Sequence, residues 1–175
     1  MRKGKPSALD PHPHQCLRKP MTSLISQRLA EHGIVLPEPA APVAAYVPTM
    51  LAGGLLHISG QLPFEDGVLM TGRLGEDRDV DFGRRAARAC AIMLLAQAAK
   101  ALGGLDHVRR IVKLGVFINS AADFTDQPKV ANGASELMEQ IFGEAGKHAR
   151  SAVGVPVLPL GAVVEVDAIV AVQEG

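Results

Sequence analysis

Apolar residues recur along this chain with two different periods. A period of two runs through Leu55–Gln61, through Val108–Asn119 with Val112, Leu114, Val116 and Ile118 on one side, and through the stretch from Ala149 to Val172. Side chains alternate across a strand, so these segments predict strands. Tyr46 is expected to open an earlier strand, with a turn at Gly53-Gly54, and Val68–Thr71 a short one after the Glu65-Asp66-Gly67 turn. Helical spacing appears in three places. Thr22 or Ser23 caps a short helix to about His32, followed by the proline-rich connector LPEPAAPVA. Asp79 or Asp81 starts a long helix to about Leu102, stopped by Gly103-Gly104; its alanines at 86, 87, 89, 91, 96, 98 and 99 permit close packing on a sheet. Asp123 or Thr125 starts another, interrupted near Pro128 and continuing to Phe142. The body of the chain reads β-β-β-α-β-α-β-β, an α+β layer of about six strands with two long helices on one sheet face. The other face then needs covering, and self-association is the expected cover.

Composition narrows the class. A chain of 175 residues fits one domain, taken as 21–175. Residues 1–20, with four prolines and five basic residues, read as a disordered tail. The sequence is 47 % hydrophobic but only 3 % aromatic, so the core is built from Ala, Val, Leu and Ile. Eighteen basic and eighteen acidic residues cancel, which argues against nucleic acid or a membrane surface held by net charge. Two cysteines, Cys16 and Cys90, and no secretory hydrophobic region lead to the expectation of reduced thiols in a cytoplasmic protein. Cys90 lies in an apolar helix stripe and reads as packing.

The chemistry-bearing residues cluster near the end of the chain. Arg150 opens one strand, and Glu165 and Asp167 share a face of the next. Charges in such apolar strands are costly to bury unless paired or used. A structural Arg150–Glu165 ion pair and a working site both account for them. Arginine suits carboxylate recognition, because its planar fork makes two parallel hydrogen bonds. His148 shares Arg150's face, and Tyr46, the single tyrosine, stands where its ring can wall a pocket. His57 and His148 read as packed or surface histidines. The alternating His12, His14 and Cys16 make a poor metal site, and no phosphate-loop or metal-ligand motif is present; no metal is expected.

In this order and spacing, several motifs together resemble the RidA (YjgF) family, also called endoribonuclease L-PSP. They are Tyr46-Val47, Ile58-Ser59-Gly60-Gln61-Leu62-Pro63 with Gly60 fourteen positions after the tyrosine, Ala149-Arg150-Ser151, Leu158-Pro159 and Val164-Glu165-Val166-Asp167-Ala168. The resemblance covers about residues 36–172, and the wording of 129–135 and 151–155 is similar to a divergent branch. It implies a chorismate-mutase-like α+β fold assembled as a homotrimer, with clefts between subunits that hydrolyse 2-enamine and 2-imine acids to 2-keto acids and ammonia. No cofactor is implied. By resemblance, Arg150 grips the substrate carboxylate, Tyr46 lines the cleft, and Gly60 and Ala152 contact the substrate, Ala152 standing where the family usually has cysteine. Asp167 matches the glutamate credited with positioning water, one methylene shorter. Glu165 is either a further substrate contact or a structural partner.

That chemistry requires an anchor, a polarised C=N and a positioned water, and no strong nucleophile. The sequence offers none. Three other readings compete with it. One is a trimer that binds small carboxylates without turnover. Another is a hydrolase of a different small amide or imine. Ribonuclease or translational inhibition is the third, and zero net charge and the lack of a paired histidine weigh against it.

Overall fold

The computed structural model describes residues 23–39 and 45–173. In chain order the elements are α1 (Leu24–Glu31), β1 (Thr49–Ala52), β2 (Leu55–Gln61), β3 (Phe64–Glu65), β4 (Val68–Leu69), α2 (Val80–Leu102), β5 (Val108–Asn119), α3 (Gln127–Phe142), β6 (Ala149–Val155) and β7 (Val164–Val172). The alternating run of β5 lies inside the sheet, antiparallel to β7 and parallel to β6. β7 pairs onward with β2, and β2 with β1, giving a mixed five-stranded sheet in the order β1-β2-β7-β5-β6.

Alternation decides which side chains form the core. Leu114, Val116 and Ile118 of β5, and Val164, Val166, Ala168 and Val170 of β7, are buried under α2 and α3. Their neighbours Lys113, Phe117, Glu165, Asp167 and Ile169 point the other way. Asp79 caps α2, its side chain accepting from Phe82 N at 2.8 Å. Ala86, Ala87, Ala91 and Ala98 let α2 lie close to the sheet. The two long helices approach each other so tightly that a Cβ at Gly133 would meet the Arg84 backbone carbonyl. The α+β reading and both long helices therefore hold. α1 is a third helix, capped by Ser23 as expected and joined to α3 by Arg28 Nη1 donating to the Ile141 carbonyl at 2.9 Å.

Several expectations are corrected. Among the described residues the main sheet has five strands, not six. The run expected as a strand over 68–71 contributes only Val68–Leu69, which pairs with Phe64–Glu65 as a separate hairpin. Its turn residues Asp66 and Gly67 both have positive φ, the geometry of a tight two-residue hairpin turn. Met70 then turns inward to the core and Thr71 bridges to Ala162, so the ribbon cannot lengthen. β1 begins at Thr49, and Tyr46 sits in the bend before it. Pro128 does not interrupt α3; it occupies the first turn, where its missing N–H leaves no bond unmade.

The largest correction concerns the two C-terminal strands. β6 and β7 are not neighbours, because β5 lies between them. α3 carries the chain back along the sheet, so β6 can lie parallel to β5 at the edge, and residues 156–163 then cross to the far side of β5. No described element covers the face of the sheet opposite the helices. The expected tail over 1–20, with His12, His14 and Cys16, and the Thr22 cap lie outside the described residues.

Candidate functional site

The sequence-derived site residues fall into two groups on opposite faces of the sheet. Arg150 pairs in register with Leu114, a core residue, so its side chain leaves the edge strand toward α3. Its Nη1 donates to Asn132 Oδ1 at 3.0 Å and to Ser135 Oγ at 2.9 Å, and Nη2 donates to the Pro128 carbonyl at 3.4 Å. Asn132 and Ser135 stand three apart on α3 and so share a face. These bonds hold the guanidinium through its two Nη atoms, and among the described residues Nε–H has no hydrogen-bond partner. Ala152 lies on the same face, half-buried against the core. His148 completes the group, with Nε2 3.0 Å from Ser135 Oγ and Nδ1 2.6 Å from the Gly146 carbonyl. Ser135, Glu139, Gly146, Lys147, His148 and Arg150 line a cavity of about 400 Å³. Burial pushes the His148 imidazole below its usual value, and Arg150 adds to this; the Gly146 carbonyl and Glu139 oppose it.

Glu165 and Asp167 occupy the open face. Asp167 Oδ1 accepts a hydrogen bond from Gly115 N at 3.0 Å, so part of this carboxylate is committed to the neighbouring strand. Glu165 adjoins Gly60, where an added Cβ would collide with its carboxyl group. Gly60 lies in a β-bulge of β2, where the register with β7 shifts between Ile58 and Gln61. A side chain there would force the Glu165 carboxyl to swing away. Burial, then the nearby Asp167 charge, raises the Glu165 carboxyl above its usual value. A hollow of about 570 Å³ on this face is lined by His57, Ser59, Gly60, Lys113, Phe117 and Asp167 among others; Glu165 stands behind Gly60 and does not line it. Tyr46 is exposed beside it in the bend before β1, next to Val47, whose carbonyl accepts from Ser59 Oγ at 3.0 Å.

An Arg150–Glu165 ion pair within one chain is thus not formed: the strand β5 and the thickness of the sheet separate the two. Asn132 and Ser135 escaped the sequence reading. The one signal was the i, i+3 spacing of two polar residues in the otherwise apolar helix stretch Val130–Ser135. Cys90 is fully buried in the core, its thiol raised by burial and then by Glu165, as the packing reading expected. Among the described residues no group of three or more His, Cys, Asp or Glu is placed to hold a metal, and no helix is long and apolar enough to cross a membrane.

Comparison with known proteins places this arrangement. Residues 26–171 match the family model described as "YjgF/chorismate_mutase-like, putative endoribonuclease". Protein TCP17 of Trypanosoma cruzi is 53 % identical over 148 residues, covering 83 % of this chain and 92 % of that protein. A solved protein of unknown function from Agrobacterium tumefaciens is 46 % identical, with a TM-score of 0.81 over 87 % of this chain and 95 % of its own. A "putative endoribonuclease" from Shewanella oneidensis is 36 % identical, with a TM-score of 0.82 over 85 % and 99 %.

Proposed function

Starting from the premise that this chain belongs to the YjgF/chorismate-mutase-like (RidA) family, we propose that it hydrolyses small 2-imino or 2-enamino carboxylic acids in clefts between copies of a homotrimer. The observation that carries this reading is the state of Arg150. Its guanidinium is locked onto α3 at the sheet edge through its Nη atoms, yet keeps Nε–H, a donor of the edge that suits a carboxylate, without a partner among the described residues. An arginine serving only packing would have no reason to keep that edge free.

Self-association supplies what one chain lacks. The acids lie on the face that no described element covers, and Arg150 lies at the edge strand beside α3. A neighbouring copy laid against the edge and the open face brings the anchor of one subunit to the acids of the next. Apolar residues on that face, Met50 and Val153, are 55 % and 46 % exposed, which favours covering it. Between the two acids, Glu165 suits the water-positioning role better than Asp167. It adjoins Gly60, and burial, then the Asp167 charge, raises its carboxyl above the usual value, whereas Asp167 is tied to Gly115.

The reaction asks little more of the protein. Water adds to the C=N carbon to give a carbinolamine, which expels ammonia and leaves the keto acid. Holding carboxylate and water together turns two encounters into one oriented event. The endoribonuclease wording of the relatives finds less support, since His57 and His148 stand on opposite faces and cannot work as an acid–base pair within one chain.

Imines generated in situ by an amino-acid oxidase, with semicarbazide as competing trap, test the proposal. The wild-type protein is expected to divert imine to keto acid, and Arg150→Ala, still of native size by light scattering, to lose this. If wild type leaves semicarbazone formation unchanged across several parent amino acids, deamination is refuted. Retained binding of a small carboxylate, measured by calorimetry, would then favour the binding-only reading.

A further inference from the structure

The cavity beside Arg150 holds a set of groups that carboxylate anchoring leaves unused. A carbonyl oxygen only accepts hydrogen bonds, so the 2.6 Å contact with Gly146 puts the ring proton of His148 on Nδ1. Nε2 of the neutral ring then accepts from Ser135, whose Oγ lies 3.0 Å away. Hydroxyl, base and the acceptor that orients the base stand in the sequence used to activate a serine nucleophile. Arg150 Nη1 reaches the same Oγ at 2.9 Å, placing a fixed cation where negative charge grows as the hydroxyl proton leaves. Desolvation lowers the ring from its usual value, and the charged groups around it, Arg150 from the strand that follows, Lys147 from the preceding residue and Glu139 from α3, oppose one another. Ser135 and His148 are both partly exposed and line the same cavity, so the oxygen is open to a small molecule.

We propose that Ser135 is a nucleophile activated by His148, and that this cavity accepts the acyl group of small esters or thioesters. Ser135 Oγ attacks the acyl carbon while its proton passes to His148 Nε2. The tetrahedral oxyanion forms one bond from Ser135 Oγ and is met by Arg150 Nη1, the guanidinium nitrogen that already reaches that Oγ at 2.9 Å. Collapse breaks the bond to the leaving alcohol or thiol, which takes the proton from His148. Water then repeats the sequence on the acyl-serine: its proton goes to Nε2 and returns to Ser135 Oγ as the acid departs. No oxidant, reductant or metal enters this balance. Asn132 takes the other Nη1 hydrogen, so it positions the guanidinium without touching the acyl group.

The test exposes the full-length protein to a fluorophosphonate and locates the adduct by intact mass and tandem mass spectrometry. One adduct per chain is expected, on Ser135. It should be absent from Ser135→Ala and form on the order of 100-fold more slowly in His148→Gln, the size of a general-base contribution. If Ser135 stays unmodified, if the adduct maps elsewhere, or if a folded His148→Gln reacts as fast as wild type, the proposal fails and the Ser135–His148 bond is only a brace between α3 and β6. Should Ser135→Ala not fold, the position of the adduct in wild type decides. The labelling reads the serine directly, so it stands or falls independently of imine hydrolysis.

Discussion

The two faces of the sheet are built from the same strands and do opposite work. On the helix face, the alternate residues Leu114, Val116 and Ile118 of β5 and Val164, Val166, Ala168 and Val170 of β7 close against an alanine-rich helix with almost no exposed surface. One step along the same strands, the open face carries Lys113, Phe117, Glu165 and Asp167, partly solvated and partly enclosed. The first face needs nothing from outside; the second holds charge and apolar surface together, a combination stable only where water or a partner meets it. Arg150 marks the boundary: its backbone belongs to the edge strand, its side chain to the helix face, and its free Nε–H to neither. The contrast teaches that stability and chemistry are separated here by the two-residue period of a strand.

The strongest way to break this comparison is to truncate equivalent side chains on the two faces. Leu114→Ala removes a fully buried side chain and is expected to cost about 2–5 kcal/mol in urea unfolding. Phe117→Ala, three residues along on the open face, should cost clearly less for an isolated chain. Equal losses that depend on protein concentration would show that another copy covers the open face. Next in size is the anchor. Arg150→Ala should lower imine hydrolysis on the order of 100-fold, with Arg150→Lys recovering little, because a point charge cannot reproduce the fork. Gly60→Ala comes third: its Cβ intrudes on the Glu165 carboxyl, which must swing away, so turnover should fall while the unfolding midpoint changes little.

The smallest effects are in pH dependence, and they have opposite signs on the two faces. Glu165 has a raised value in the folded chain, so the folded state holds its proton to higher pH than the unfolded state. Stability should therefore decline as pH rises through the interval above the usual glutamate value of about 4.3. Glu165→Gln should flatten that decline. His148 is lowered, so the unfolded state binds its proton first and stability should fall as pH drops below about 6.5. His148→Gln should remove this second slope. Thermal unfolding midpoints measured from about pH 4 to about pH 8, which spans the usual glutamate and histidine values, read both. A wild-type midpoint that is flat over the whole interval would contradict both assignments.

Much of this architecture was legible in the residues. Val112 to Ile118 announced β5, Asp79 and Gly103 bounded α2, and Ser23 capped α1, because alternation and capping are local properties of the backbone. The motif from Ile58 to Pro63 and those around Arg150 and Glu165 carried the family. Pro128 was misread because a proline tolerated in a first turn and one that breaks a helix look the same in sequence. The hairpin at 64–69 was misjudged because pairing partners are set by where the chain goes next.

What the tertiary structure alone decided is the company the charged residues keep. Sequence alternation put Glu165 and Asp167 on one face and His148 and Arg150 on another segment, but it carried no information on strand order. Sliding β7 between β2 and β5 placed β5 between Arg150 and the acids and turned them to opposite sides. α3, packed beneath the edge strand, brought Asn132 and Ser135 to Arg150 from fifteen or more residues away. The periodicity of a strand is written in neighbouring residues; the identity of its neighbours depends on which long-range pairing buries the most apolar surface, and that is a property of the whole chain.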